Sequence, residues 1–123
     1  MASLADRVFD NGLTVLDTEA NRIDITSQEA TTYAEATSTY TLGNSTSLSI
    51  AAPSDRTGGG REVVAAAISD GSVSATGTAT HYAIVDTSNS RLLATGSLDA
   101  SQSVTSGNTF SRASFTIGIP DPA

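Results

Sequence analysis

Apolar and polar positions alternate most regularly in residues 77–120 of this chain. Residues 78–86 have the two-residue period of a β-strand, and residues 91–98 return after a four-residue polar turn, so we predict a β-hairpin here. Residues 115–119 repeat the two-residue period with Phe, Ile and Ile, and Pro120 follows them. This pattern predicts another strand that ends before the proline.

A second hairpin is predicted immediately upstream. Residues 61–69 contain a nearly continuous run of small apolar residues, which is typical of a strand covered on both faces. Asp70 and Gly71 have the composition of a tight turn, and residues 72–79 return with alternating apolar positions. The two hairpins would follow each other directly in the chain.

The N-terminal part has a weaker pattern. Asp10, Asn11 and Gly12 favour a turn, because Asn and Gly tolerate positive φ angles. The short apolar run 13–16 and the alternating residues 22–26 then predict a further hairpin.

The next segment carries a helix signal. Thr32 precedes Glu35 by three residues, the spacing of a capping box, and predicts one short helix between Thr32 and Ser38. Neighbouring Thr and Ser residues are weak helix formers, so this helix should be short. Together the runs give about seven to nine short strands at the spacing of a β-sandwich or barrel. The predicted fold class is all-β and antiparallel, with a less regular N-terminal segment.

The length of 123 residues predicts a single domain, residues 1–123, with a modest core. Leu, Ile, Val and Phe supply only 25 residues, so the core must be thin. We divide the chain into an N-terminal arm or hairpin (1–30), an irregular part with a Gly-rich loop (31–60) and a regular β core (61–123). Such a composition suits a structural protein that gains stability from neighbours in an assembly.

Charge and cysteine content exclude several classes of function. The net charge is −7, and the six basic residues are all Arg, which argues against nucleic-acid binding because phosphates require a concentrated basic surface. Without cysteine, the chain has neither disulfides nor thiolate metal sites. No apolar run has the length of a membrane span, so we expect no membrane partner.

Catalytic and metal chemistry have little support in the sequence. His81 is the only histidine, and no serine lies in a G-x-S-x-G motif, so we expect neither catalysis nor a cofactor. A faint calcium pattern lacks two required residues, because Arg22 stands where glycine is needed and Gln28 where glutamate is needed. The oxygen-bearing residues of that pattern are Asp17, Glu19, Asn21 and Asp24.

The Gly-rich segment 53–60 is predicted to be a mobile loop. Three glycines between two arginines suit an anion, but the segment lacks the G-K-[ST] ending and precedes a strand rather than a helix. The loop is a candidate for ordering against an acidic partner surface, and the acidic N-terminal part for facing an Arg- and Lys-rich partner, although a merely solvated acidic face is the simpler explanation of the charge. The predicted partner-contact residues are Arg7, Phe9, Asp10, Arg56 and Arg61.

Two C-terminal segments, HYAIVDTSNSRLLATGSL and SQSVTSGNTFSRASFTIGIP, resemble small virion proteins of tailed bacteriophages. The shared features are an A-x-x-x-A-I-V-D strand, a turn, a return strand with a G-S-L step, and a final S-F-T-I-x-x-P strand. The start of the chain, ADRVFDNGLTVLDTEANRIDITSQEATTYAEAT, also resembles that group. These motifs are structural and carry no site chemistry.

The resemblance implies a β-rich, non-enzymatic component of the virion, assembled in the host cytoplasm. A capsid decoration or cement protein is the first expectation: a homo-oligomer that binds the major capsid protein and stabilises the head. In that reading an extended N-terminal segment bridges neighbouring subunits. The alternative is a receptor- or glycan-binding module of a tail tip or fibre, which requires an exposed aromatic or polar pocket.

Overall fold

The structure, a computed structural model, describes residues 5–120. Antiparallel strands dominate this part of the chain, which confirms the predicted β fold class. The elements are α1 (Asp6–Glu19), β1 (Arg22–Thr26), a π-helical turn α2 (Glu35–Thr39), β2 (Thr41–Ser45), β3 (Ser54–Asp55), β4 (Arg61–Ala65), β5 (Ile68–Val73), β6 (Gly77–Asp86), β7 (Arg91–Val104), β8 (Thr109–Arg112) and β9 (Phe115–Ile119).

The described strands form two sheets. Six strands, in the order β7-β6-β1-β2-β5-β8, make a curled half-barrel, and three strands, in the order β3-β4-β9, make a smaller sheet. β1 lies near the centre of the large sheet, antiparallel to β2 on one side and to β6 on the other. β7 and β8 are therefore the two open edges of the half-barrel.

The predicted hairpin of residues 13–16 and 22–26 is wrong, because α1 covers residues 6–19. Phe9, Leu13 and Leu16 recur at four- and three-residue spacing, so a helix places all three on one face, and all three are buried. Asn11 and Gly12 lie on the exposed face, where they disturb no packing. Burial of the apolar face outweighs the turn propensity of the Asp-Asn-Gly sequence.

The predicted turn at Asp70 and Gly71 is also wrong, since β5 runs straight through both residues. A Cβ atom on Gly71 would lie 2.4 Å from the ring of Phe110, so the glycine is needed for close approach of β8 rather than for a turn. The chain instead breaks at residues 66–67 and passes from the small sheet into the large one. The run 61–69 is thus divided between β4 and β5.

Three other local predictions are confirmed. β6 and β7 form a hairpin around the turn at residues 87–90, and β9 ends at Ile119, one residue before Pro120. The short helix also occurs where the capping signal places it. Thr32 Oγ1 accepts a hydrogen bond from the Glu35 N–H at 3.1 Å, and Glu35 Oε1 accepts one from the Thr31 N–H at 2.8 Å.

The main hydrophobic cluster lies between α1 and the two sheets. Its largest fully buried side chains are Ile23 and Ile84 of the large sheet and Val63 of the small sheet. A second cluster fills the open side of the half-barrel, around Ile25 and Phe110. The two clusters differ in how fully they are covered. The first is covered by a helix, whereas the second lies beside the unpaired strand edges.

Candidate binding site and contact surfaces

The five residues predicted to contact a partner have different environments. Arg7 is exposed on α1, whereas the Phe9 side chain is only 2% exposed and packs inside the protein. Phe9 is therefore a core residue, and its apolar character explains the helix rather than a surface contact. The remaining three residues, Asp10, Arg56 and Arg61, make polar contacts within the chain.

Arg61 joins the first helix to the small sheet. Its Nε donates to Asp10 Oδ1 at 2.9 Å, and its Nη1 donates to Asp55 Oδ1 at 2.7 Å. The Arg61 side chain is 15% exposed and Asp10 is 32% exposed, so their ion pair is partly shielded from water, whereas the Asp55 carboxylate is 89% exposed. The planar guanidinium serves both carboxylates simultaneously, which fixes α1 against β3 and β4. The sequence predicted contacts for Asp10 and Arg61 without identifying them as each other's partner.

The Gly-rich segment forms a closed hairpin turn between β3 and β4. The Arg56 N–H donates to the Gly60 carbonyl at 3.1 Å, and Arg56 Nη1 donates to the Gly59 carbonyl at 3.0 Å. Residues 58–60 all have φ angles between 91° and 105°, which only glycine adopts readily. The three glycines are thus explained by the backbone path of the turn.

His81 and the weak calcium pattern have structural contacts. His81 Nδ1 lies 2.8 Å from Thr80 Oγ1, which also donates to the Ser27 carbonyl at 2.9 Å. Asp24 is fully buried and accepts two hydrogen bonds from Arg22, at 2.7 and 2.8 Å, which raise the pKa of Arg22. Within residues 5–120, no His, Cys, Asp and Glu side chains gather in a group suited to a metal ion.

A cavity of about 290 Å³ lies at the open side of the half-barrel, between the two edge strands. We call it the seam cavity. Its walls are residues 98–102 of β7 and residues 110–115, which include the end of β8, and its floor includes Ile25 and Ala79. The seam cavity therefore lies where another strand pairing would close the barrel.

A large bulge in β7 opens this cavity. His81 of β6 pairs with Ser97 and Ala79 pairs with Gln102, so four residues of β7, 98–101, lie opposite the single residue Thr80. The excess residues cannot follow the pairing and are displaced from β6, as bulged residues at sheet edges are. This displacement places Leu98 and Asp99 in the cavity wall.

Arg112 supplies a positive charge to the seam cavity. Its Cζ atom lies 4.2 Å from the ring centre of Phe115 and 4.9 Å from that of Tyr82, so the guanidinium contacts two aromatic rings. The rings are themselves 4.9 Å apart at an angle of 54°. Burial raises the pKa of Tyr82, an effect that the nearby Arg112 charge opposes. Tyr82 therefore remains a neutral contact of the cation at ordinary pH.

The Arg112 guanidinium has no acceptor within the described chain. Its Nε is buried without a hydrogen-bond partner, and no hydrogen bond or ion pair joins its side chain to another residue of the described range 5–120. Sequence reasoning missed this residue because an isolated Arg in a Ser-rich strand gives no motif. Its distinguishing feature is contact with the rings of Tyr82 and Phe115. Those residues lie in two other strands, so the contact exists only in the folded chain and leaves no motif in the sequence.

Comparisons with known proteins identify no relative: no family model, no curated protein and no solved structure matches the chain. No helix in the described ranges is both long and apolar enough to cross a membrane. The geometry of the small sheet and of the seam cavity therefore carries the functional argument.

Proposed function

We propose that this chain is a non-enzymatic structural protein of a tailed-bacteriophage virion, of the decoration type that binds the major capsid shell as a homo-oligomer. The similarity of residues 77–120 and of the N-terminal segment to small virion proteins supports this proposal. The observation that carries it structurally is the small sheet, whose edge strand and outer face are available for contacts.

The edge strand in question is β9. It pairs with β4 on one side, and no described strand pairs with it on the other. An edge strand offers a row of N–H and C=O groups to which a strand of another chain can add. The proposal places a contact between subunits along this edge.

The outer face of the small sheet carries one exposed valine. Val64 is 36% exposed on this face, and its partner across the strands is Thr116. Glu62 pairs with Gly118 on the same face, and the Arg56 side chain lies over Gly118, so charged side chains border the valine. An exposed apolar side chain with charged neighbours suits a protein–protein contact.

The mechanism of shell binding differs from the extended arm that the sequence suggested. Residues 6–19 are helical, and Arg61 fixes this helix to the small sheet through Asp10. The proposal therefore rests on a rigid surface made of β4 and β9 rather than on an extended segment. Rigid surfaces bind with a smaller loss of conformational entropy than segments that must order on contact.

Copy number tests the proposal directly. We expect virions purified from the phage that encodes this chain to contain it in numbers comparable with those of the major capsid protein, as measured by quantitative mass spectrometry. Only a handful of copies per particle would contradict shell decoration and place the protein elsewhere in the virion.

A matched pair of valine variants tests the surface. Val15 on α1 is also 36% exposed, so Val15→Lys adds the same charge at equal exposure on another part of the molecule. We expect Val64→Lys to lower the occupancy of decorated capsids at least tenfold, because an ammonium buried at the contact is costly, whereas Val15→Lys retains normal occupancy. Equal occupancy of both variants would contradict a contact at Val64.

A second candidate function is a receptor- or glycan-binding module of the tail. The seam cavity favours it, since a polar cavity with aromatic walls is what this class of protein requires. The two candidates are separated by copy number, because a tail protein is present in few copies and a decoration protein in many.

A further inference from the structure

We propose that the seam cavity is a binding site for a small polyhydroxylated monocarboxylate, a sugar acid, whose carboxylate pairs with Arg112. The assignment goes beyond shell binding and does not depend on it. It also supplies the ligand chemistry for the glycan-binding alternative. Three features of the cavity carry the inference.

The first feature is the hydrogen-bonding demand of Arg112. A guanidinium has five N–H donors and no acceptor, and leaving buried donors unsatisfied is unfavourable. Tyr82 and Phe115 orient the group by contact with their faces, yet neither ring provides a conventional oxygen acceptor. The two terminal NH2 groups of Arg112, which donate to no described residue, can give two parallel hydrogen bonds to a planar carboxylate.

The second feature is the charge of the lining. Arg112 contributes one positive charge to the cavity, and Asp99 contributes one negative charge to the opposite wall. A ligand with one negative charge can pair with Arg112 and donate a hydroxyl hydrogen bond to Asp99. A doubly charged phosphate ester would have no second cation and would be repelled by Asp99. The lining therefore favours a monocarboxylate over a phosphate.

The third feature is the composition of the remaining walls. Gln102, Ser111 and Ser114 provide amide and hydroxyl groups, while Leu98 and Phe110 provide apolar surface. Hydroxyl groups of a sugar can bond to the former, and its C–H face can contact the latter. The cavity volume of about 290 Å³ is suited to a single sugar ring. Polar and apolar walls together distinguish this site from a purely apolar groove.

Titration with matched sugars tests the assignment. The probe is D-glucuronate, with D-glucose as the neutral analogue and glucose 6-phosphate as the phosphate analogue, each added to the full chain and followed by two-dimensional NMR. We expect glucuronate to shift the amide signals of residues 98–102 and 110–115 and to bind at least about tenfold more tightly than either analogue. Equal affinity for glucose, tighter binding of the phosphate, or an absence of glucuronate binding would overturn the proposal.

Variants separate recognition by Arg112 from general effects on the fold. Arg112→Met should weaken glucuronate binding at least about tenfold, and Arg112→Lys should weaken it less. Asp99→Asn should reduce the preference for glucuronate over glucose 6-phosphate, because it removes the charge that repels the phosphate. Arg56→Met is the matched control, since Arg56 lies in the turn between β3 and β4, and it should retain wild-type affinity. Unchanged affinity in Arg112→Met, with native NMR dispersion, would overturn the role of Arg112.

Two binding measurements distinguish the source of the sugar acid: one with free glucuronate and one with an oligosaccharide that ends in glucuronate. Both ligands present the same carboxylate, so Arg112→Met should have a lower affinity for each of them than the wild type. Tighter binding of the oligosaccharide indicates a glycan ligand, whereas equal binding indicates a single-sugar ligand. Absence of binding in both measurements would overturn the site and leave the copy-number test of shell decoration unaffected.

Discussion

Two arginines show how the closed and open parts of this molecule differ. Arg61 lies where α1 meets the small sheet, and carboxylates of Asp10 and Asp55 accept its hydrogen bonds. Arg112 lies at the seam of the half-barrel, where two aromatic rings contact it and no described acceptor is bonded to it. Arginine thus joins elements through ion pairs in one place and is held only by aromatic contacts in the other.

The packing of apolar side chains also differs between the closed core and the open seam. Around Ile84, the helix and both sheets cover the core completely. Around Leu98, the β7 bulge leaves a cavity beside the apolar cluster. Completed packing stabilises a fold, whereas a persistent opening with an unsatisfied charge is characteristic of a binding site.

The largest expected effect comes from truncating one core residue in each region. Ile84→Ala should lower the free energy of unfolding by about 2–5 kcal/mol, because it leaves a hole in a fully covered core. Leu98→Ala should cost about 1 kcal/mol, because the half-buried leucine already adjoins empty space. Urea unfolding followed by circular dichroism measures both, and equal losses would show that the seam is packed as tightly as the core.

Replacing each arginine by methionine should give a smaller difference. Arg61→Met should cost about 1–2 kcal/mol, mainly because it leaves the partly shielded Asp10 carboxylate without its cation; the pair with Asp55, which is 89% exposed, contributes little. Arg112→Met should change stability by less than about 1 kcal/mol, because methionine retains the contact with the rings and removes a charge that lacks an acceptor. The same unfolding assay tests the pair, and a larger loss for Arg112 would reverse the assignment of roles.

The smallest effect concerns acid stability. Hydrogen bonds from the Ser47 and Ser45 hydroxyls lower the pKa of Asp70. Because the folded pKa is below the unfolded value of about 3.9, ionised Asp70 stabilises the fold above that pH, and this contribution is lost as the pH falls through the folded pKa.

The double variant Ser45→Ala, Ser47→Ala removes both hydroxyls. Its Tm should therefore fall less than that of the wild type between about pH 5 and pH 2, and scanning calorimetry at both pH values measures the difference. A parallel decrease in both proteins would show that these hydroxyls do not govern the acid response.

Local patterns predicted some elements well. The hairpin of β6 and β7 could be read from two alternating runs and a polar turn, and β9 from the spacing of Phe115, Ile117 and Ile119. The capping signal at Thr32 and Glu35 located the short helix. These features depend on residues close together in the chain, so the sequence contains their full physical cause.

Two errors arose where packing overrode local preference. Asp10, Asn11 and Gly12 favour a turn, yet burial of Phe9 and Leu13 on one helical face makes the segment helical. Gly71 has turn chemistry, but its role is to admit the ring of Phe110. In each case, the deciding contact comes from a distant part of the chain.

The sequence by itself determined that this protein is an antiparallel β protein with a thin core, an acidic charge and no motif of a known catalytic site. The tertiary structure alone decided which arginine is paired with carboxylates and which contacts aromatic rings instead. Arg61 and Arg112 have no distinguishing local pattern, because the carboxylates and rings that surround them are supplied by other strands and by α1. Short-range periodicity fixes the elements, whereas the chemistry of the candidate site depends on which strand edges the fold leaves unpaired.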